Sequence, residues 1–255
     1  GLYDVTKGSI KINDTVVTAR NRNEFGKWLS AVFQDFSLLA LPIGNNISAG
    51  KLYDESKVWK ALEKVGIREK IEKYPEKLEQ SLFKDYDDDG VELSGGEAQK
   101  IAIARGIYKD AALIILDEPT AGLDPKERIR IRNYISSISE NKIVLIATHV
   151  VSDVECIAKE ILLLRSGKLL EKETPEKLVE QMEELVWEVI IRPDQLSELE
   201  QVLLVSNVNI AKEGLLVRVI AESEQMKEQQ IQFGWGTPKA AVPTLEDVYL
   251  WNMGT

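Results

Sequence analysis

The hydrophobic pattern of the chain predicts an α/β protein built on short buried strands. Residues 113–116 (LIIL) form a continuous apolar run, which is typical of a parallel strand buried on both faces. Residues 142–147 (KIVLIA) predict a second buried strand, and residues 30–33 predict a shorter one. Two carboxylates, Asp117 and Glu118, follow the first run, at the strand end where open α/β sheets bind ligands.

Residues 43–110 lie between the predicted strands at 30–33 and 113–116, and their pattern is mostly helical. Apolar side chains recur at helical spacing at Val58, Leu62 and Val65, and Gly66 is a suitable end for that helix. We therefore expect these side chains to lie in a hydrophobic core rather than in a ligand site.

A later helix in this region is predicted to begin at Ser94. Ser94 and Glu97 have the spacing of a capping box, in which the serine accepts from a first-turn amide and the glutamate reaches back to the cap. Gly95 and Gly96 carry no side chains that would cover the remaining first-turn amides. A bare helix N-terminus attracts anions, so this helix start is a candidate anion-binding site.

The chain changes character near residue 173. We predict a main domain over residues 1–172 and a small α+β accessory region over residues 173–255. The remaining predicted elements are a helix from Pro125 towards Ser139, a hairpin turning at Ser166 and Gly167, strands at 186–191 and 215–220, and helices at 194–202, 222–231 and 243–250.

Composition and charge restrict the classes of function. The chain has 44% hydrophobic and 29% charged residues, which is enough apolar material for a core. Its net charge is 32 − 42 = −10, which argues against nucleic acid as the main partner. No apolar run approaches the roughly 18 residues of a membrane-spanning helix. Cys156 is the only cysteine, which excludes a disulfide within the chain and makes a cytosolic location the default expectation.

The acidic run at residues 85–90 (DYDDDG) suggests a calcium-binding EF-hand loop, but its spacing excludes one. With Asp85 as the first position of such a loop, the twelfth is Gly96, where a bidentate glutamate is required. Glu97 comes one residue too late. We predict an exposed loop that leads into the helix beginning at Ser94.

Three motifs together point to a protein family. Residues 94–97 (SGGE), 116–120 (LDEPT) and 121–124 (AGLD) resemble the nucleotide-binding domain of ABC transporters. Their order and spacing together are more specific than any one motif. Taken one at a time, the motifs could instead be a capped helix followed by a core strand that ends in an ordinary charged turn. The resemblance implies an α/β, P-loop NTPase-like ABC ATPase core, with a helical signature subdomain at about 43–110.

The resemblance implies that the helix start is the ABC signature motif. Ser94, Gly95, Gly96 and Glu97 would then contact ATP that is held by a second ABC ATPase domain in a head-to-tail dimer. Their backbone N–H groups and the helix dipole would stabilise the negative charge of the γ-phosphate.

The resemblance assigns the remaining site residues by position. Gln34, which follows the strand at 30–33, resembles the Q-loop glutamine and would contact Mg²⁺. Asp117 would position Mg²⁺ and Glu118 would act as the general base on the attacking water. Asp124 would communicate across the dimer interface.

His149 is the only histidine in the chain. A single histidine is more often structural than catalytic, but this one follows the predicted strand at 142–147. That position resembles the switch histidine of the family, which contacts the γ-phosphate. We therefore predict a catalytic role for His149, beside the two carboxylates at the ends of the strands.

One motif of the family does not occur in the chain. No G-x-x-x-x-G-K-[ST] sequence is present, and the nearest fragment, at residues 166–168 (SGK), lacks the upstream glycine. We interpret the sequence as a fragment without its N-terminal Walker A part. That loop supplies charge-assisted hydrogen bonds to the phosphates, so we expect the chain alone to bind ATP poorly.

The predicted function is that of an ATP-binding and ATP-hydrolysing subunit of an ABC transporter. It would drive substrate movement through a transmembrane permease partner, from the cytoplasmic, inner face of the cell membrane. The alternative is a non-catalytic partner that lends its signature motif to an intact subunit, although such a partner needs neither Glu118 nor His149. An ABC ATPase of DNA repair is disfavoured, because no long coiled-coil insertion separates Gln34 from Ser94.

The two halves of the chain resemble different branches of the family. Residues 45–47 (NNI) and 88–90 (DDG) resemble exporters with fused membrane domains, whereas the chain from Gly122 onward resembles separate ATPase subunits. A natural mosaic, an old recombination or an assembly artefact would each give this arrangement.

Overall fold

The computed structural model describes residues 5–50, 52–84 and 88–254. The chain divides into two compact units, residues 1–149 and residues 150–255. This division precedes the hairpin that the sequence analysis placed in the main domain. The predicted domain boundary at residue 172 stays a prediction.

The first unit contains a two-stranded hairpin, a three-stranded sheet and a set of helices. In chain order its elements are β1 (Lys11–Ile12), β2 (Thr15–Val16), α1 (Arg22–Phe25), β3 (Leu29–Val32), α2 (Ile43–Ser48), α3 (Glu55–Val65), α4 (Arg68–Ile71), a 3₁₀ turn (Lys77–Glu79), α5 (Gly95–Lys109), β4 (Leu113–Asp117), α6 (Pro125–Ile138) and β5 (Ile143–Ala147).

The three-stranded sheet confirms the strands predicted from the apolar runs. Its order is β3-β4-β5, and both pairings are parallel, with Val32 opposite Leu116 and Asp117 opposite Ala147. Because all three strands point the same way, their carboxyl ends meet at one edge of the sheet. Asp117 therefore lies beside the end of β5, as predicted from the sequence.

The predicted burial of β5 is wrong. Ile143 is 70% exposed and Leu145 is 44% exposed, whereas Ile114 on β4 is 3% exposed. The difference arises because β5 is the outermost strand of the sheet. Among the described residues, none covers the face that carries Ile143 and Leu145. An apolar run predicts a strand but does not say which of its faces is covered.

Helix α5 covers the other face of the sheet and carries much of the core. Its residues Ile101 and Ala104 are fully buried, and Gly106 lies so close to Val32 that an added Cβ would be 2.9 Å from the valine Cγ2. Helix α3 packs on α5 and ends at Gly66, which has a φ of +72°. The helical spacing therefore predicted this core and its terminating glycine correctly.

The structure describes only part of the exposed loop predicted at residues 85–90. Residues 85–87 lie outside the described residues. Asp88 and Asp89 are exposed in a turn, and Gly90 is buried.

The second unit is an α+β assembly around an antiparallel sheet of order β11-β8-β10-β9. Its elements are α7 (Val151–Glu155), β6 (Ile161–Arg165), β7 (Lys168–Glu173), α8 (Pro175–Glu180), β8 (Val186–Ile191), a 3₁₀ turn (Pro193–Gln195), α9 (Leu196–Val202), β9 (Leu204–Ala211), β10 (Gly214–Ile220), α10 (Ser223–Phe233), β11 (Lys239–Ala240) and α11 (Leu245–Met253).

A buried ion pair joins the sheet of the second unit to α11. Asp247 is 1% exposed, and its Oδ2 lies 2.7 Å from Nη2 of Arg218 on β10. The same carboxylate closes a capping box with Thr244 at the start of α11. Within the described ranges no helix has the length and hydrophobicity needed to cross a bilayer.

Candidate active site

The start of α5 has the capping geometry predicted from its sequence. The Ser94 N–H donates to Oε2 of Glu97 at 3.0 Å, and the Glu97 N–H donates to Oγ of Ser94 at 3.4 Å. Nζ of Lys70 lies 2.6 Å from Oε1 of Glu97. Burial raises the pKa of Glu97, but the bonds from Lys70 and Ser94 outweigh it and hold the pKa below its usual value. The Glu97 carboxylate is thus engaged in holding the helix start.

The two glycines of the motif have different surroundings. Gly95 is exposed, and an added Cβ would meet nothing within 4 Å. A Cβ on Gly96 would lie 3.3 Å from Cδ2 of Leu123, in the loop that follows Glu118. Gly95 therefore leaves room for a ligand, while Gly96 allows the helix to approach that loop closely.

Glu118 occupies an unusual backbone position just after β4. Its φ is +46°, a left-handed conformation that non-glycine residues rarely adopt. The backbone N–H of Glu118 donates to the carbonyl of Ala147, at the end of β5, at 2.9 Å. Such strained residues concentrate at functional sites, where surrounding contacts hold them in place.

The Glu118 carboxylate is held by the two residues that follow β5. Its Oε2 accepts from the Thr148 hydroxyl at 2.8 Å, and its Oε1 accepts from the His149 backbone N–H at 2.9 Å. Nδ1 of His149 lies 2.6 Å from the same Oε1. The Glu118 side chain is only 10% exposed, whereas that of His149 is 73% exposed. The structure therefore brings the two predicted catalytic residues into direct contact.

These contacts decide the protonation of Glu118. Burial raises the pKa of Glu118, but the hydrogen bonds from the Thr148 hydroxyl and from His149 outweigh it, so the pKa lies below its usual value. An ionised carboxylate at neutral pH is the form that can accept a proton.

Asp124 and Gln34 lie in different settings. Oδ1 of Asp124 accepts from the Glu127 N–H at 3.0 Å, which makes Asp124 the N-cap of α6. Gln34 is exposed, two residues beyond the end of β3. Because β3 and β4 are parallel neighbours, Gln34 belongs to the same edge of the sheet as Asp117.

The residues at this edge fit a Mg²⁺ site of the kind that uses few protein ligands. Among the described residues no group of three or more His, Cys, Asp and Glu side chains could hold a metal ion. Mg²⁺ that is bound with nucleotide phosphates needs only one or two carboxylates from the protein. Asp117, with an amide oxygen from Gln34, meets that lower requirement.

Sequence reasoning missed two buried polar residues of α5. Gln99 is 7% exposed, and its Nε2 donates to the carbonyl of Glu118 at 2.9 Å. Lys100 is 5% exposed and forms an ion pair with Glu127 of α6. A signal existed, because Gln99 and Lys100 follow Gly96 at three and four residues and thus share its helix face.

Residues 1–121 match the family model described as "ABC transporter". This part of the chain belongs to the ABC transporter family. The match to the family model ends at residue 121. The resemblance of the chain from Gly122 onward to separate ATPase subunits stays a prediction.

Two curated ABC transporters illustrate the relationship. The chain is 37% identical over 183 residues to the beta-(1→2)glucan export ATP-binding/permease protein NdvA of Bartonella bacilliformis, covering 70% of this chain and 29% of the relative. It is 30% identical over 179 residues to the ATP-dependent lipid A-core flippase of Paraburkholderia xenovorans, with coverages of 70% and 29%. The chain thus spans less than a third of the length of these relatives.

The fold agrees with the ABC assignment. The structure of a bacterial Atm1-family ABC exporter with ATP bound aligns with this chain at a TM-score of 0.63 and 25% sequence identity. The alignment covers 70% of this chain and 31% of the exporter chain. The α/β core predicted for this chain is therefore confirmed as an ABC ATPase fold.

Proposed function

We propose that this chain is an ATP-binding and ATP-hydrolysing part of an ABC transporter. The supporting observation is the contact between Glu118 and His149, at the strand ends where Asp117 also lies. A buried, ionised carboxylate beside an exposed imidazole is suited to activating water next to a bound phosphate. The relatives named above are an export ATP-binding/permease protein and an ATP-dependent flippase, which agrees with this function.

Glu118 is the general base in this proposal. Oε1 accepts from the backbone N–H of His149 and contacts its ring, and Oε2 accepts from Thr148, so opening one of these contacts would give a water molecule a further lone pair. The ring of His149 is the contact best placed to open, because it is exposed while the His149 backbone N–H would keep hold of the same oxygen. A γ-phosphate that bound the imidazole would thereby free Glu118 to accept the proton of the attacking water.

Asp117 and Gln34 would hold Mg²⁺ at the same edge of the sheet. When bound, Mg²⁺ would supply positive charge that offsets the negative charge of the phosphates. Asp117 is the last residue of β4 and Gln34 follows β3 by two residues, so both lie at the same end of the sheet.

A second ABC ATPase domain would complete the site in a head-to-tail dimer. The exposed helix start at Ser94 and Gly95 would then contact the γ-phosphate held by the other domain. Gly96 would add a backbone N–H, and Glu97 would keep the helix start rigid through Lys70. Asp124 would support the interface by capping α6.

A transmembrane partner would dock close to the signature motif, with this domain at the cytoplasmic face of the membrane. The supporting feature is an apolar cleft of about 190 Å³ lined by Phe36, Leu38, Leu82, Phe83 and Leu93 among others. Phe36 follows Gln34 and Leu93 precedes Ser94, so a partner in this cleft would contact both motif regions.

ATP turnover tests the proposal. The 255-residue chain is compared with a fusion that carries the phosphate-binding segment of a relative at its N-terminus, each with and without Glu118→Gln. We expect turnover in the fusion, and a loss of about 10²–10⁴-fold with Glu118→Gln, because the variant removes the general base. If the fusion has no turnover but still joins an intact ABC ATPase domain, the chain is a partner that lends its signature motif.

A further inference from the structure

The carbonyl of Glu118 is bound from inside the protein by a side chain of α5. Nε2 of Gln99 donates to it at 2.9 Å, and both residues are buried, at 7% exposure each. The same carbonyl accepts from the Ala121 N–H at 3.1 Å. The mechanism proposed above makes no use of Gln99, which does not touch the carboxylate.

This hydrogen bond matters because the backbone of Glu118 is in a left-handed conformation. A non-glycine residue persists at a φ of +46° only where its surroundings hold it there. The N–H of Glu118 is held by Ala147 of β5, and its carbonyl is held by Gln99 of α5. Together these bonds fix the direction in which the side chain leaves the backbone, and so the place of the carboxylate.

Two further contacts join the same face of α5 to the loop after Glu118. Gly96 packs against Leu123, and Lys100 forms its ion pair with Glu127. Positions 96, 99 and 100 lie on one side of a helix. The start of α5 and the segment from Glu118 to Glu127 are thus connected at three successive points.

We propose that Gln99 is a positioning residue that couples the signature helix to the catalytic carboxylate of the same chain. The proposal rests on the proposed function, in which the start of α5 contacts the nucleotide of the partner domain while Glu118 acts on the nucleotide of its own domain. A shift of α5 caused by the partner's nucleotide is then transmitted through Gln99 to the backbone of Glu118. Gln99 thereby links the two nucleotide sites of the dimer.

Hydrogen exchange on the 255-residue chain tests the positioning directly. The amides of Glu118 and Ala121 are the reporters, because each donates a hydrogen bond that depends on the conformation of Glu118. Gln99→Leu removes the donor at nearly constant volume. We expect exchange at these two amides to become about tenfold faster, as the loss of one buried hydrogen bond implies.

Gln195→Leu is the matched control. Gln195 is also a buried glutamine, 6% exposed, whose Nε2 donates to a backbone carbonyl, that of Phe233, at 3.1 Å. This control should leave exchange at Glu118 and Ala121 unchanged. If Gln99→Leu fails to fold, Gln99→Met, which has a flexible unbranched side chain, takes its place. Unchanged exchange in the folded Gln99 variant would overturn the proposal.

Turnover in the fusion separates this inference from the proposed function. We expect Gln99→Leu to lower kcat and leave KM for ATP unchanged, because Gln99 positions the base and does not contact nucleotide. A raised KM with an unchanged kcat would count against the positioning role. If the unsubstituted fusion does not hydrolyse ATP, the proposed function fails, whereas the exchange result still decides whether Gln99 positions Glu118.

Discussion

Oε1 of Glu118 and Nδ1 of His149 lie 2.6 Å apart, although the two residues are 31 positions apart in the chain. They meet because β4 and β5 are parallel neighbours, and Glu118 and His149 come one and two residues after the strand ends. The pair therefore depends on the register of the two strands, in which Asp117 lies opposite Ala147.

Replacing His149 with alanine should shift the pH dependence of ATP turnover in the fusion. The ring of His149 is one of the contacts that lower the pKa of Glu118, so its removal raises that pKa. Because the base must be ionised, the acidic limb of kcat/KM should move to higher pH. The pH profiles of the two proteins measure this shift, and a limb that stays in place would show that the imidazole does not act on Glu118.

Glu118 should also contribute to the pH dependence of stability. Its pKa is lower in the folded chain than the usual value of 4.5, so its ionisation stabilises the fold above pH 4.5 and ceases to do so as the pH falls through the folded pKa. The difference in unfolding free energy between the chain and Glu118→Gln should therefore shrink in acid. Urea titrations at pH 7 and below 4.5 test this, with the exposed Glu140→Gln as control.

Two isoleucines on neighbouring strands should respond differently to truncation. Ile114 is 3% exposed and Ile143 is 70% exposed. We expect Ile114→Ala to lower the unfolding free energy by about 2–5 kcal/mol, and Ile143→Ala to lower it by less than about 1 kcal/mol. Denaturant titration of both variants measures the difference. Equal losses would contradict the uncovered face assigned to β5.

The ion pair between Arg218 and Asp247 should stabilise the second unit. Both side chains are largely buried, at 16% and 1% exposure, so Asp247→Asn removes the nearest charged partner of Arg218. Glu188 remains as its second charged partner, with Oε1 3.5 Å from Nη1. We expect the unfolding free energy to fall by about 3–5 kcal/mol. Asp194→Asn breaks the exposed pair with Arg192 and should have little effect. Thermal or urea unfolding distinguishes the two, and similar effects would contradict the structural role of Asp247.

Local features of this chain could be predicted from its sequence. The capping box of Ser94 and Glu97, the end of α3 at Gly66 and the start of α6 at Pro125 each depend on residues a few positions apart. The carboxylates and the histidine could be placed at strand ends, because parallel strands share an edge.

Features that depend on packing could not be predicted. The bond from Gln99 to the Glu118 carbonyl joins residues 19 positions apart and exists only because α5 lies against β4. Strand β9 was missed because Ser206, Asn207 and Asn209 interrupt its apolar pattern, and its partner β10 supplies the pairing. The exposure of β5 likewise follows from its place at the sheet edge rather than from its composition.

The most direct test of the account is complementation between two inactive variants of the fusion. Gly95→Asp places a negative charge where the γ-phosphate would bind, in open space and at a helix start that tolerates an acidic residue. Glu118→Gln removes the base. If the signature of one chain and Glu118 of another form one site, mixing the two variants creates sites in which both are intact. The account predicts that ATP turnover reappears on mixing, and a mixture as inactive as its parts would contradict it.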